Sequence, residues 1–159
     1  MALLRVGEIA PDFDVPALVG GVKRRFRLSD QLGKKNVLLV FYPSNWMPAT
    51  AAQLMAFQAE KEKLDALALP ISICVDSIMN TTVWEREIGP LDFPMCADFW
   101  PHGEVCREYG VLREQEPHRG SCEPALYLVD RHGRIAFRDV YPLEQPPDIQ
   151  TVLARLQEL

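Results

Sequence analysis

The segment Phe41-Tyr42-Pro43-Ser44-Asn45-Trp46-Met47-Pro48-Ala49-Thr50 leaves a strongly apolar run and enters a helical pattern. Thr50 therefore falls at the start of a helix. Such an end presents unpaired N–H groups and about half a positive charge, so it favours anions and polar oxygens. A threonine there can donate or accept a hydrogen bond, but it is not a side chain that ionises near neutrality. A cysteine would behave differently. Its thiol starts near ~8.5, and a helix N-terminus or a nearby cation lowers it further, giving the thiolate that acts as nucleophile. The chain's four cysteines all lie elsewhere, at Cys74, Cys96, Cys106 and Cys122.

Those cysteines form no C-x-x-C pair and have no metal-ligand spacing. In a reducing compartment they are expected as thiols. Cys74 lies inside an apolar run, where burial raises a thiol's pKa, and it reads as core packing. Cys122 precedes Pro124 in a loop, with His118 and Arg119 close in sequence. If those groups face it they lower its pKa, which makes Cys122 the candidate redox thiol; an incidental loop cysteine is the alternative. His102, His118 and His132 are scattered over turns and a helix start, so no metal site and no cofactor is expected.

The elements that must position this loop are legible from periodicity. Gly20-Gly21 sits between the runs Phe13–Leu18 and Val22–Leu28 and predicts a hairpin. Lys23-Arg24-Arg25 then reads as the solvated face of a strand. Ser29-Asp30 is expected to cap a short helical turn ending at Gly33. Asn36–Tyr42 is almost continuously apolar, as in a strand buried on both faces. Thr50–Leu69 predicts one helix, with Leu54, Phe57, Leu64 and Leu67 inward and Pro70 as its stop. Ile71–Asp76 predicts a second buried strand, Asn80–Ile88 a helix, Pro94–Cys96 a short extended piece and His102–Tyr109 a helix. Ala125–Val129 and Arg134–Val140 pair across Asp130-Arg131-His132-Gly133. A last helix starts at Asp148, after a turn region at Pro142–Pro147. Strands alternating with helices imply a mixed sheet covered on both sides, in one domain over residues 1–159.

Composition narrows the function. Charged residues make up 25% and apolar residues 48%, ordinary for a soluble globular protein, and the net charge is −5. No basic footprint suggests a nucleic acid. No run of 18 apolar residues suggests a membrane span. The opening Met-Ala-Leu-Leu-Arg-Val-Gly-Glu is too early charged for a signal peptide, so a cytoplasmic location is expected.

The loop resembles the active-site loop of peroxiredoxins, the alkyl hydroperoxide reductase/thiol-specific antioxidant family, whose pattern is Phe-Tyr-Pro-x-x-x-Thr-x-x-Cys. Laid on this chain, Pro43 matches, Met47 stands at the Thr position and Thr50 at the position of the peroxide-attacking Cys. The resemblance extends along nearly the whole chain. It includes Val6-Gly7-Glu8-Ile9-Ala10-Pro11-Asp12-Phe13, Val75-Asp76-Ser77 and Leu126-Tyr127-Leu128-Val129-Asp130 with Gly133. Ala97-Asp98-Phe99-Trp100-Pro101-His102-Gly103, followed by Tyr109-Gly110-Val111, is similar to a bacterial subgroup, in which Cys96 and Cys106 occupy positions usually held by small apolar residues. The family's thiolate-stabilising Arg lies six residues before Asp130, where this chain has Pro124, a residue with no charge and no backbone donor.

The resemblance implies an α/β thioredoxin-like fold of the peroxiredoxin type, with a mixed central sheet flanked by helices and an added N-terminal β-hairpin. It also implies a homodimer, with Trp46 and Trp100 in exposed loops as candidate contacts. At the degenerate positions Pro43, Met47, Thr50 and Pro124 the pocket is either a small-ligand site or a collapsed remnant. Two functions stay open: a binding, scaffold or regulatory module without peroxidase activity, or a thiol-dependent antioxidant peroxidase using a non-standard Cys such as Cys122.

Overall fold

The structure is a computed structural model that describes residues 2–159. Its centre is a seven-stranded mixed sheet in the order β2-β1-β5-β4-β3-β6-β7. The strands are β1 (Asp14–Val19), β2 (Val22–Arg27), β3 (Val37–Phe41), β4 (Leu69–Cys74), β5 (Met95–Ala97), β6 (Ala125–Val129) and β7 (Ile135–Val140). The helices are α1 (Pro48–Ala59), α2 (Lys61–Asp65), α3 (Ile78–Ile88), α4 (Glu104–Glu108) and α5 (Ile149–Gln157). β3 lies parallel to β4 and antiparallel to β6, and both of its faces are buried.

Period-two alternation divides β3 between two cores. Leu39 and Phe41 join Phe13, Tyr109, Val111 and Tyr127 on one side of the sheet. Leu38 and Val40 join Leu54, Phe57, Trp84, Val152 and Leu153 on the other, under α1, α3 and α5. Tyr109 is the pivot of the first core. Its ring stands 5.2 Å from Tyr127 and 5.4 Å from Phe41, its hydroxyl donates to Pro11 O, and its carbonyl accepts from Tyr127 Oη.

The glycine hairpin forms as expected, with Gly20 and Gly21 both at positive φ. The basic run lies on β2's solvated face, where Arg25 and Arg27 reach Asp14 at 2.8 and 3.1 Å.

Three expectations need correction. The helix read over Thr50–Leu69 starts earlier and breaks at Glu60, whose φ of −104° and ψ of 18° leave the helical region. The charged run at the break is held locally by Lys63–Glu60 and Lys61–Asp65 pairs. Pro70 does not stop a helix but sits inside β4. Ser72 N bonds to Pro94 O on the β5 side, and alternation points the nitrogen of Pro70 the same way. β5 pairing begins only at Ser72, so no ladder bond is lost at Pro70. Finally, Ser29 and Asp30 do not cap the short 3-10 turn at Leu28–Gln31. Ser29 N instead donates to Asp12 Oδ1 at 2.8 Å, fastening that turn to the N-terminal segment.

Candidate functional site

The loop from Tyr42 to Met47 joins the C-terminal end of β3 to α1. Pro48 opens α1 at a position where a missing N–H costs nothing. Met47 is the N-cap and offers no side-chain bond, so the first-turn N–H groups have no side-chain cap. Thr50 lies in that first turn and is buried. Gln53, one turn on, is also buried, and its Nε2 has no hydrogen-bond partner among the described residues. Pro124 is buried immediately before β6. Phe41 pairs with Ala125, so the register carried one step further sets Pro124 opposite Tyr42 at the base of the loop. Pro43, Met47, Thr50 and Pro124 thus gather around one end of β3, and Cys122 precedes Pro124 by two residues.

The loop is fixed by a buried polar knot that sequence reasoning missed. Asn45 is its hub. Its Oδ1 accepts from Tyr42 Oη at 2.8 Å, and its Nδ2 donates to Thr81 Oγ1 at 2.9 Å and Asn80 Oδ1 at 3.1 Å. Its backbone N donates to Asp76 Oδ2 at 2.6 Å. Trp46 Nε1 donates to the same Asn80 oxygen at 2.8 Å while its ring stays 51% exposed. Trp46 takes a φ of 72°, a left-handed conformation that a bulky residue keeps only when its surroundings fix it. The only hint in the sequence was three amide or acid groups, Asn45 and Asp76 just after apolar strands and Asn80 in the first turn of the next helix.

The thiols stand as follows. Cys74 Sγ approaches Asn45 Oδ1 at 3.5 Å and is fully buried. Burial, reinforced by the Asp76 carboxylate, pushes its pKa up to about 12. Cys96 is buried as well, and burial pushes it higher still. Both agree with the core-packing reading and neither is a thiolate near neutral pH. The expectation of four thiols is corrected at the other two positions, because Cys106 and Cys122 are joined in a disulfide with Cα atoms 6.0 Å apart. Cys106 does more than stand in for a small apolar residue, and Cys122 carries no thiol in this state. His118 and Arg119 are exposed, whereas Cys122 is completely buried, so no activating pair forms. The two cysteines stand 16 positions apart, a spacing without a motif signature.

Beside Cys106, the buried Asp98 carboxylate caps α4, accepting from Val105 N at 3.1 Å and Cys106 N at 2.9 Å. Burial outweighs these donors and raises the carboxyl from 3.8 to about 6. A raised carboxyl binds its proton more tightly in the folded chain. Its contribution is therefore greatest below the ordinary value and is lost as pH rises through about 6. The full swing is about 3 kcal/mol. Urea unfolding of wild type and Asp98→Asn across that window should show the wild type losing stability relative to the variant as pH rises. A constant difference between them would refute the assignment.

Three surface clefts, of about 280, 330 and 230 Å³, draw no lining residue from 42–53. Among the described residues, no group of three His, Cys, Asp or Glu is placed to hold a metal ion, and no helix is long and apolar enough to cross a membrane.

A thioredoxin-like sheet with an added N-terminal hairpin, and a loop running from β3 into a helix N-terminus, defines the peroxiredoxin class of architecture. Residues 6–138 match the profile of the AhpC/TSA family, and the chain belongs to that family. It is 35% identical over 151 residues to alkyl hydroperoxide reductase E of Mycobacterium tuberculosis, covering 93% of this chain and 91% of that protein. It is 28% identical to the chloroplastic 2-cysteine peroxiredoxin of Chattonella marina var. antiqua, covering 98% of this chain and 80% of that one. The fold also superposes on Mycobacterium tuberculosis AhpC with a TM-score of 0.87 at 20% identity, over 99% of this chain and 98% of that one. The reduced Plasmodium vivax 2-Cys peroxiredoxin gives a TM-score of 0.88 at 22% identity, over 96% of this chain and 80% of that one.

Proposed function

We propose that this chain is a family member without the peroxide-attacking cysteine, and that it acts as a binding, scaffold or regulatory module on the peroxiredoxin fold. Thr50 stands at the family's nucleophile position, Met47 at its Thr and Pro124 at its Arg. The observation that carries the reading is the state of the four cysteine sulfurs. Cys74 and Cys96 are sealed in the core with raised pKa values, and Cys106 and Cys122 are bonded to each other. A thiolate nucleophile is required for peroxide reduction, and a threonine cannot pass through a sulfenic acid. The alternative peroxidase reading through Cys122 needs that disulfide reduced and its buried sulfur uncovered. The packed Asn45 knot favours a collapsed pocket over a small-ligand site.

The test is the second-order rate of hydrogen peroxide consumption by purified, reduced protein against a heat-killed control. The expected rate is no faster than that of free cysteine. A much faster rate, abolished by substituting one cysteine, would overturn the proposal; if that residue were Cys122, the alternative would stand.

The reading includes a homodimer and a cytoplasmic location. Trp100 is 83% exposed, with Phe99 beside it and Trp46 also open, a set of large apolar groups suited to a contact. Light scattering at micromolar concentration should give twice the monomer mass, and Trp100→Ala should lower it. A monomer throughout would remove the homodimer from the account.

A further inference from the structure

The Cys106–Cys122 pair is completely buried, and Cys122 ends a small surface hairpin. Residues 112–122 form a small antiparallel hairpin, with Leu112 bridged to Cys122, Arg113 N bonded to Ser121 O and Gly120 N bonded to Arg113 O. Its far end, 114–119, is exposed and polar. The hairpin lies on the turn that begins α4. His102 Nε2 meets Gly120 O at 2.6 Å, and a Cβ at Gly103 would come within 2.7 Å of Leu112. Between Leu112 and Cys122, which pack on the core, the hairpin is held by polar contacts. Arg113 Nη1 reaches both oxygens of Glu123 at 3.0 and 3.1 Å, and its Nε donates to Pro117 O at 2.6 Å. Cys106 and Cys122 belong to the main core together with Phe13, Val105, Tyr109 and Val111, and Leu112 packs against it, whereas residues 113–121 contribute nothing to that core. A segment with few buried apolar side chains opens at a lower free energy than such a core.

We propose that Cys106 and Cys122 form a redox-modification site gated by the 112–122 hairpin, reduced by a small dithiol and re-formed by a small disulfide only when the hairpin has lifted. In reduction, one thiolate of the dithiol attacks a protein sulfur and the S–S bond breaks. The departing protein sulfur takes a proton from solvent. The dithiol's second thiolate then resolves the mixed disulfide, leaving two protein thiols and one cyclic disulfide. Two electrons pass to the protein, and oxidation is the same sequence reversed. The site does not depend on whether Thr50 has replaced a catalytic cysteine.

The probes are dithiothreitol and its cyclic oxidised form. After incubation with the oxidised form, then denaturation and alkylation without reductant, mass spectrometry should count two alkyl groups, on Cys74 and Cys96. Full reduction should give four. Four groups without reduction would overturn the pairing. Reduction of the folded protein by dithiothreitol should be far slower than in denaturant. Arg113→Ala, which removes a charge-assisted hydrogen bond from the closed hairpin, should accelerate it about tenfold. His102→Ala provides a second variant should Arg113→Ala unfold, and it too should speed reduction. Folded protein reduced as fast as denatured protein, or a slow rate unchanged in a folded variant, would overturn the gate.

Discussion

The triple variant Met47→Thr, Thr50→Cys, Pro124→Arg should gain peroxide reduction far above that of free cysteine. Each change supplies one missing element. The introduced thiol would sit in the first turn of α1, where the side-chain-uncapped end favours a thiolate. The introduced guanidinium, entering opposite Tyr42, would stabilise that thiolate and the charge that develops as the O–O bond breaks. The introduced threonine hydroxyl would orient the peroxide. Thr50→Cys alone should be slower than the triple variant by roughly 100-fold, the cost typical of losing one preorganised charge-stabilising group. Replacing Pro124 keeps its carbonyl, which accepts from Tyr141 N at 2.8 Å, so the pairing at that strand end is retained. Stopped-flow peroxide decay on the three proteins measures this. A folded triple variant no faster than free cysteine would mean that the Asn45 knot has changed the loop backbone as well as its side chains.

Asn45→Ala should cost about 3 kcal/mol of stability. The substitution removes the acceptor of Tyr42 Oη and the donor to Thr81 and Asn80 at once. Tyr42 and Thr81 are both buried, so their polar atoms lose that partner without gaining water. Trp46 shares Asn80 Oδ1 with Asn45, and its strained φ should relax with the knot, raising the mobility of the loop. Urea denaturation with the slope held constant reads the loss. A change below about 0.5 kcal/mol, the scale of ordinary surface substitutions, would show that the knot is not what fixes the loop.

The buried strands were the most legible part of this chain, because residues 37–41 and 126–129 are apolar without interruption, 71–74 is broken only by Ser72, and only a sheet covered on both faces hides both sides of a strand. The glycine hairpin was legible for its turn chemistry. The break at Glu60 was not, since 60–65 keeps a helical pattern and only the backbone angles mark the kink. Pro70 misled because its effect depends on which neighbour its nitrogen faces, a fact of sheet order.

At the site, Pro43, Met47, Thr50 and Pro124 were found through resemblance, and their gathering at one end of β3 follows from the register. Asn45 and its partners were hidden because a hydrogen-bond hub spread over 42–81 has no periodicity. The disulfide was hidden for a related reason: α4 and the hairpin bring Cys106 and Cys122 together only after the intervening turn folds back. The cytoplasmic, reducing compartment expected from the opening segment also argued for thiols.

The account turns on the absence of an activated sulfur, and trapping the product of such a sulfur tests it most directly. Reduced, folded protein should be exposed to hydrogen peroxide for seconds with a sulfenic-acid trapping reagent present, then mapped by peptide mass spectrometry. The account predicts no trapped sulfenic acid at Cys74, Cys96, Cys106 or Cys122 beyond that in a protein of unrelated fold with buried thiols. Rapid and stoichiometric trapping at any one of the four would contradict it.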